Sequence, residues 1–250
     1  MAGHSHWSSI KHKKKREDRR RGKIFSKISK KIMGAVRRAG KDPEMNLELQ
    51  YAIEDAKEAN MPKDTIERAI LKGAGELEGQ QLEAIRYEGY GAGGAAVMVD
   101  VLTDNRNRTS AEIRNIFDER GGKLGTQGCV SWMFETKGLV LLEPDEEHTE
   151  EDIFDLAVEA GAEDFQQAGE VYELTCPVPD FQNVVNALEE AAIDYEKAEI
   201  TEVPLSYVDL TIEEGRKILP LLGDLEDHDD VSQVHSNFNL PPELAAEFED

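Results

Sequence analysis

The chain is poor in cysteine, in long apolar runs and in positive charge. Its two cysteines, Cys129 and Cys176, stand far apart in 250 residues and form no CxxC pair. A zinc ribbon or redox dithiol is thereby excluded, and both thiols read as small core residues. No apolar run approaches the roughly 18 residues that a membrane-spanning helix needs. The opening lacks the apolar segment of a secretory signal, so a cytoplasmic protein is expected. Walker, GxSxG, HExxH and EF-hand patterns are absent, and no acid–base pair or nucleophile stands out. A non-enzymatic chain with no cofactor, no metal and no small-molecule substrate is expected. Lys and Arg number 29 against 52 Asp and Glu, for a formal charge of −23.

What positive charge there is gathers at the start. Up to Lys41 there are fifteen Lys and Arg and two acids, Glu17 and Asp18. Residues 1–75 carry +9 and residues 76–250 carry −32. Such asymmetry points to a nucleic-acid-binding end joined to an acidic body that faces solvent or a partner. An acidic scaffold whose basic helix binds a protein is the weaker alternative. The first sixteen residues have no apolar period and read as a mobile arm bearing His4, His6, Trp7, Lys11, Lys13, Lys14, Lys15 and Arg16. The cations suit phosphates; His4, His6 or Trp7 suits an unstacked base, though Trp7 could equally anchor the arm. So cationic a setting disfavours a metal at His4, His6 and His12. From about Glu17 the pattern turns helical. Ile24, Ile28, Ile32 and Val36 make an apolar stripe, while Arg19, Arg20, Arg21, Lys23, Lys27, Lys30, Lys31, Arg37 and Arg38 extend the basic surface.

Two further helical stripes follow, one starting at Asp42-Pro43 as cap and first turn, one after Pro62. Together they predict an N-terminal three-helix bundle. A Val-rich strand, Ala95–Thr103, is followed by a helix with Thr109 and Glu112 as capping box. Arg106 and Arg108 at its start suit a phosphate or partner, or pair with acids such as Asp104. The GxGxxG match "GYGAGG" precedes a strand and not a helix, so it reads as a turn. Residues 134–204 give the order βαββαβ, with Thr136–Gly138 dividing two short strands at its start. A helix from Thr211 should kink or break at Pro220. The run "DLEDHDD" reads as a solvated helix end, and "DDVSQVHSNFNL" as one final strand. The fold class is α+β multidomain: a basic helical domain with a mobile arm (1–75), a discontinuous α/β domain (80–133 plus 205–250), and an acidic ferredoxin-like βαββαβ unit inserted in it (134–204).

These pieces resemble the YebC/PmpR family. The likeness rests on "MAGHS" with Trp7, "RGKIF", "NMPKDTIERAILKG", "YEGYGAGG", "DNRNRT" followed by a helix and "GGKLG", and "LEDHDDV". It departs at His6, where lysine is usual, at Ala92, where proline is usual, and at Pro220. The resemblance implies three domains, the third inserted in the second. It also implies a regulator of gene expression. The family is generally described as probable transcriptional regulators that bind DNA; its mitochondrial relatives look like translational activators of cytochrome oxidase, and bacterial members are linked to rescue of paused ribosomes. No helix here stands out as a reader of base edges, and a basic arm suits RNA backbone better. The partner expected is ribosomal RNA or tRNA on the ribosome, with DNA the alternative and no membrane partner.

Overall fold

The computed structural model describes residues 21–77, 82–143, 148–168 and 171–247. Helix α1 (Arg21–Ala39) buries Ile32, Met33, Ala35 and Val36, with Phe25 and Ile28 half-buried. This stripe packs on Leu49, Ala52 and Ala56 of α2 (Leu47–Glu58) and on Ile66 and Ala69 of α3 (Lys63–Gly73).

Helix α2 begins four residues later than Asp42-Pro43 predicts. Asn46 is its cap. The buried Asn46 side chain accepts from Leu49 N at 3.1 Å and donates to the carbonyls of Ala35 (2.9 Å) and Gly40 (2.7 Å). One amide thus satisfies the end of α1 and the start of α2 together, which Asp42 could not do, since a carboxylate donates nothing.

The first sheet joins β1 (Glu83–Tyr90), β2 (Ala96–Thr103), β3 (Lys123–Leu124) and β9 (Val231–Ser236) in the order β3-β1-β2-β9. Strand β1 (Glu83–Tyr90) is unforeseen, and pairs antiparallel with β2 (Ala96–Thr103) from Glu83↔Thr103 to Tyr90↔Ala96. The "GYGAGG" segment ends β1 with Gly89 and Tyr90, and its last four residues with Ala95 connect this hairpin, with Gly93 and Gly94 at positive φ of 67° and 78°. Helix α4 (Arg106–Glu119) follows, then β3 (Lys123–Leu124). The predicted capping box at Thr109 is not used. Asn105 caps α4 by accepting from Arg108 N, and Thr109 lies buried inside the helix.

The second sheet joins β4 (Phe134–Leu142), β5 (Asp164–Ala168), β6 (Val171–Cys176) and β7 (Lys197–Pro204) in the order β5-β6-β4-β7, all antiparallel. With α5 (Glu150–Glu159) and α6 (Phe181–Glu190) in the crossovers, this is the ferredoxin-like arrangement. Thr149 and Asp152 form a full capping box on α5. Gly138 does not divide two strands. It lies within β4, and a Cβ there would stand 2.4 Å from Phe181 Cδ2, so the glycine makes room for a ring.

Beyond β7 come β8 (Val208–Asp209) and α7 (Ile212–Asp227), the latter unbroken at Pro220. Pro220 is exposed, so the helix turn that its ring interrupts lies on the solvent side. The final strand is two: β9 (Val231–Ser236) closes the first sheet, and β10 (Phe238–Asn239) pairs in parallel with β8 ahead of helix α8 (Pro242–Ala246). Packing divides the described residues into two units. One holds those up to Ser131 with Glu213–Ser236; the other holds Trp132–Ile212 with those from Asn237.

Candidate nucleic-acid interface

Helix α1 carries seven Lys and Arg and no acid. Its apolar stripe must face α2 and α3, so its cations are forced to the flanks. There the structure divides the predicted residues. His4, His6, Trp7, Lys11, Lys13, Lys14, Lys15, Arg16, Arg19 and Arg20 lie outside the described residues. Arg21 and Lys23 sit in the first turn of α1. The cations beyond them have intramolecular partners. Lys27 donates to the Glu226 carbonyl. Lys30 donates to the Asp229 carbonyl and, at 3.0 Å, to the Asp230 carboxylate. Lys31 pairs with Asp55 at 2.6 Å, Arg37 donates to the Leu82 carbonyl, and Arg38 pairs with Glu48 through Nε at 2.9 Å.

Asp230 is the hub. Besides Lys30 it receives Arg108 Nη2 at 2.7 Å, Thr109 Oγ1 at 2.7 Å and Thr103 Oγ1 at 3.0 Å. Its own carbonyl accepts from Leu102 N at 2.9 Å. Burial pushes the carboxyl up, but the donors Thr109, Arg108 and Lys30 outweigh burial and hold it well below the usual carboxylate range. The "DLEDHDD" run is therefore no merely solvated helix end: Asp230 ties α1, β2 and the start of α4 to the α7–β9 turn. Arg108 takes the acid-paired option, with Asp104 at 3.2 Å and Glu112 at 3.9 Å beside Asp230. Arg106 is exposed and makes no ion pair among the described residues.

Glu112, His228 and Asp230 bring ligand atoms within 4.8 Å of one another. The hydrogen bonds speak against a cation there. Asp230 N–H donates to His228 Nδ1 at 3.0 Å, which leaves the proton on Nε2, 2.9 Å from Glu112. Both ring nitrogens are committed, and the Arg108 guanidinium already neutralises Asp230.

Glu88 is a second buried acid that the sequence did not single out. It accepts from the backbone N–H groups of Gly128, Val130 and Ser131, each at 2.8 Å, and so fixes the loop after β3. Burial pushes the Cys129 thiol up, and pushes the Cys176 thiol up to about 12.

Comparison with known proteins agrees with this architecture. The family model for the TACO1/YebC N-terminal domain matches residues 5–76, and that for the TACO1/YebC second and third domain matches residues 82–238. A probable transcriptional regulatory protein of Natranaerobius thermophilus is 48% identical over 246 residues, 98% of each chain. One of Aquifex aeolicus is 50% identical over 245 residues, again 98% of each. The crystal structure of a conserved hypothetical protein from Aquifex aeolicus matches with a TM-score of 0.83 at 49% identity, covering 95% of this chain and 98% of that one.

Proposed function

This chain belongs to the TACO1/YebC family, and from that premise we propose that it is a non-enzymatic, nucleic-acid-binding regulator of gene expression that works on the translating ribosome. The observation that carries the reading is the segregation of charge: fifteen Lys and Arg against two acids up to Lys41, and −32 beyond residue 75. Phosphate contact needs dense cations, and the acidic body would be repelled by nucleic acid, so binding falls to the N-terminal segment. Residues His4 to Arg21 with Lys23 form the main contact, and Arg106 adds to it. Because Lys27, Lys30, Lys31, Arg37, Arg38 and Arg108 have internal partners, they join only where phosphate displaces those partners. Ribosomal RNA or tRNA is the partner, and the cytoplasm the place. The division into 1–75, 80–133 with 205–250, and 134–204 is part of this reading: a binding domain, a carrier and an acidic insert. No helix among the described residues is long and apolar enough to cross a membrane.

The second reading is a DNA-binding transcriptional regulator, which the names of the relatives favour. Two measurements separate them. In a sucrose gradient of fresh lysate at modest salt, the protein should travel with ribosomes and leave them at high salt. Crosslinking with sequencing should then return ribosomal RNA. Protein confined to the top fractions, with discrete promoter DNA enriched, overturns the ribosomal reading in favour of the transcriptional one.

A further inference from the structure

The two flanks of helix α4 differ in how far their charges are paired within the fold. One flank carries Arg108, Glu112 and Glu119, and is committed to the α7–β9 turn through Arg108–Asp230 and Glu112–His228. The other flank presents Asn107, Ser110, Ala111 and Arg114 along a shallow trough. Positions 107, 111 and 114 share one face of a helix. Arg106 and Arg114 are both exposed, and neither makes an ion pair or hydrogen bond among the described residues. They stand eight residues apart, about 12 Å along the axis. The small side chains of Ser110 and Ala111 leave the space between them open. Asp118 bounds the trough at its C-terminal end, where the Asn115 amide donates to Glu119 at 2.9 Å.

Arg106 and Arg114 are thus two uncommitted guanidinium groups on one helix among the described residues. Resting on the reading that this chain binds nucleic acid, we propose that this flank of α4 is a second contact surface, separate from the N-terminal segment, that takes the backbone of a single RNA strand. Arg106 and Arg114 hold phosphates with their planar forks. Asn107 and Ser110 reach sugar hydroxyls or base edges, and Ala111 lets the strand come close. The acids of the committed flank decide against a duplex groove. A helix in a DNA major groove has phosphates along both flanks, and Glu112 and Glu119 would face the second backbone.

The test uses the full chain with a labelled, unstructured RNA 20-mer and a duplex DNA of the same sequence, titrated at several salt concentrations. The R106Q/R114Q variant should bind RNA about fivefold to tenfold more weakly at about 0.1 M salt, and its log–log salt slope should fall by about 1.4, the value for two single-strand phosphate contacts. R106K/R114K, which keeps the charge, should keep the slope. K123Q/K217Q, with the same charge change elsewhere on the carrier, should shift affinity less than twofold. Equal losses in R106Q/R114Q and K123Q/K217Q would overturn the proposal while leaving the nucleic-acid reading intact. So would a loss on duplex DNA as large as that on RNA. A wild-type chain that binds neither nucleic acid overturns both.

Discussion

Lys30 Nζ lies 3.0 Å from Asp230 Oδ1, although 200 residues separate them in the chain. A helix that looks from its sequence like a free basic surface is thus partly spent on holding the fold together. Asp230 also holds Arg108 and Thr109 at 2.7 Å, so the same carboxylate orients α1 and the start of α4. Cations near this hub serve structure first.

Asp230→Asn should accordingly destabilise the protein by about 2–3 kcal/mol at neutral pH, since one amide cannot replace a carboxylate for four donors. Because the carboxyl is held below its ordinary 3.8, its contribution is present above that pH and is lost as pH falls toward the folded value. Urea unfolding of wild type should show stability falling on acidification below about pH 4, and D230N should lack that part of the fall. Parallel acid limbs in the two proteins would contradict the hub.

Glu173 works with the opposite sign. It is 3% exposed on β6, and its Oε2 finds no hydrogen-bond partner among the described residues. Burial, helped by the Asp164 charge, pushes its carboxyl from 4.5 up to about 7. A raised folded value means stability that is whole below about pH 4.5 and is lost as pH rises through 7. The wild type should lose about 3 kcal/mol across that window. Glu173→Gln, neutral throughout, should be flat in pH there and more stable than wild type at about pH 8. Denaturant midpoints at four or five pH values between 5 and 8.5 decide it.

Asn46→Ala should cost about 2–3 kcal/mol, because it removes an N-cap and strands the carbonyls of Ala35 and Gly40. Asp42→Ala, the cap that the sequence favours, should cost under about 0.5 kcal/mol. Thermal melts of the two variants compare the positions directly.

The contrast between these two positions shows what could be read in advance. Asp42 and Asn46 are both good caps by composition; only the carbonyls arriving from α1 decide between them. Thr149 and Asp152 close their box within four residues, so their pattern is local. Strand β1 was not legible, since "EAIRYEGY" carries three charges and no clean alternation, and is held by its neighbours β2 and β3. Gly138 reads locally as a turn and is instead a gap for Phe181, a residue distant in sequence. In "DLEDHDD" every acid looks alike, and burial alone singles out Asp230. The βαββαβ order survived these local errors because stripes and turns repeat along it. The candidate interface was legible as charge, whereas the division of that charge into spent and free cations required the tertiary structure.

That division gives the sharpest test of how the basic segment is used. Lys27, Lys30 and Lys31 each have a carbonyl or carboxylate partner within the fold. Neutralising these three as Gln should therefore be felt mainly as stability, with a loss of about 1–3 kcal/mol and a change in salt slope of less than about 1. Lys13, Lys14, Lys15, Arg19, Arg20 and Arg21 add six charges within nine residues. Neutralising them should leave the melting temperature of the folded body within about 2 °C, while affinity for RNA falls broadly and the slope falls by about 0.7 for each phosphate no longer neutralised. Melting curves and anisotropy titrations at four salt concentrations, run on both sets of variants, place each on two axes. If the α1 set moves the salt slope as much as the arm set does, phosphate displaces the internal partners on binding, and α1 then belongs to the contact surface in full.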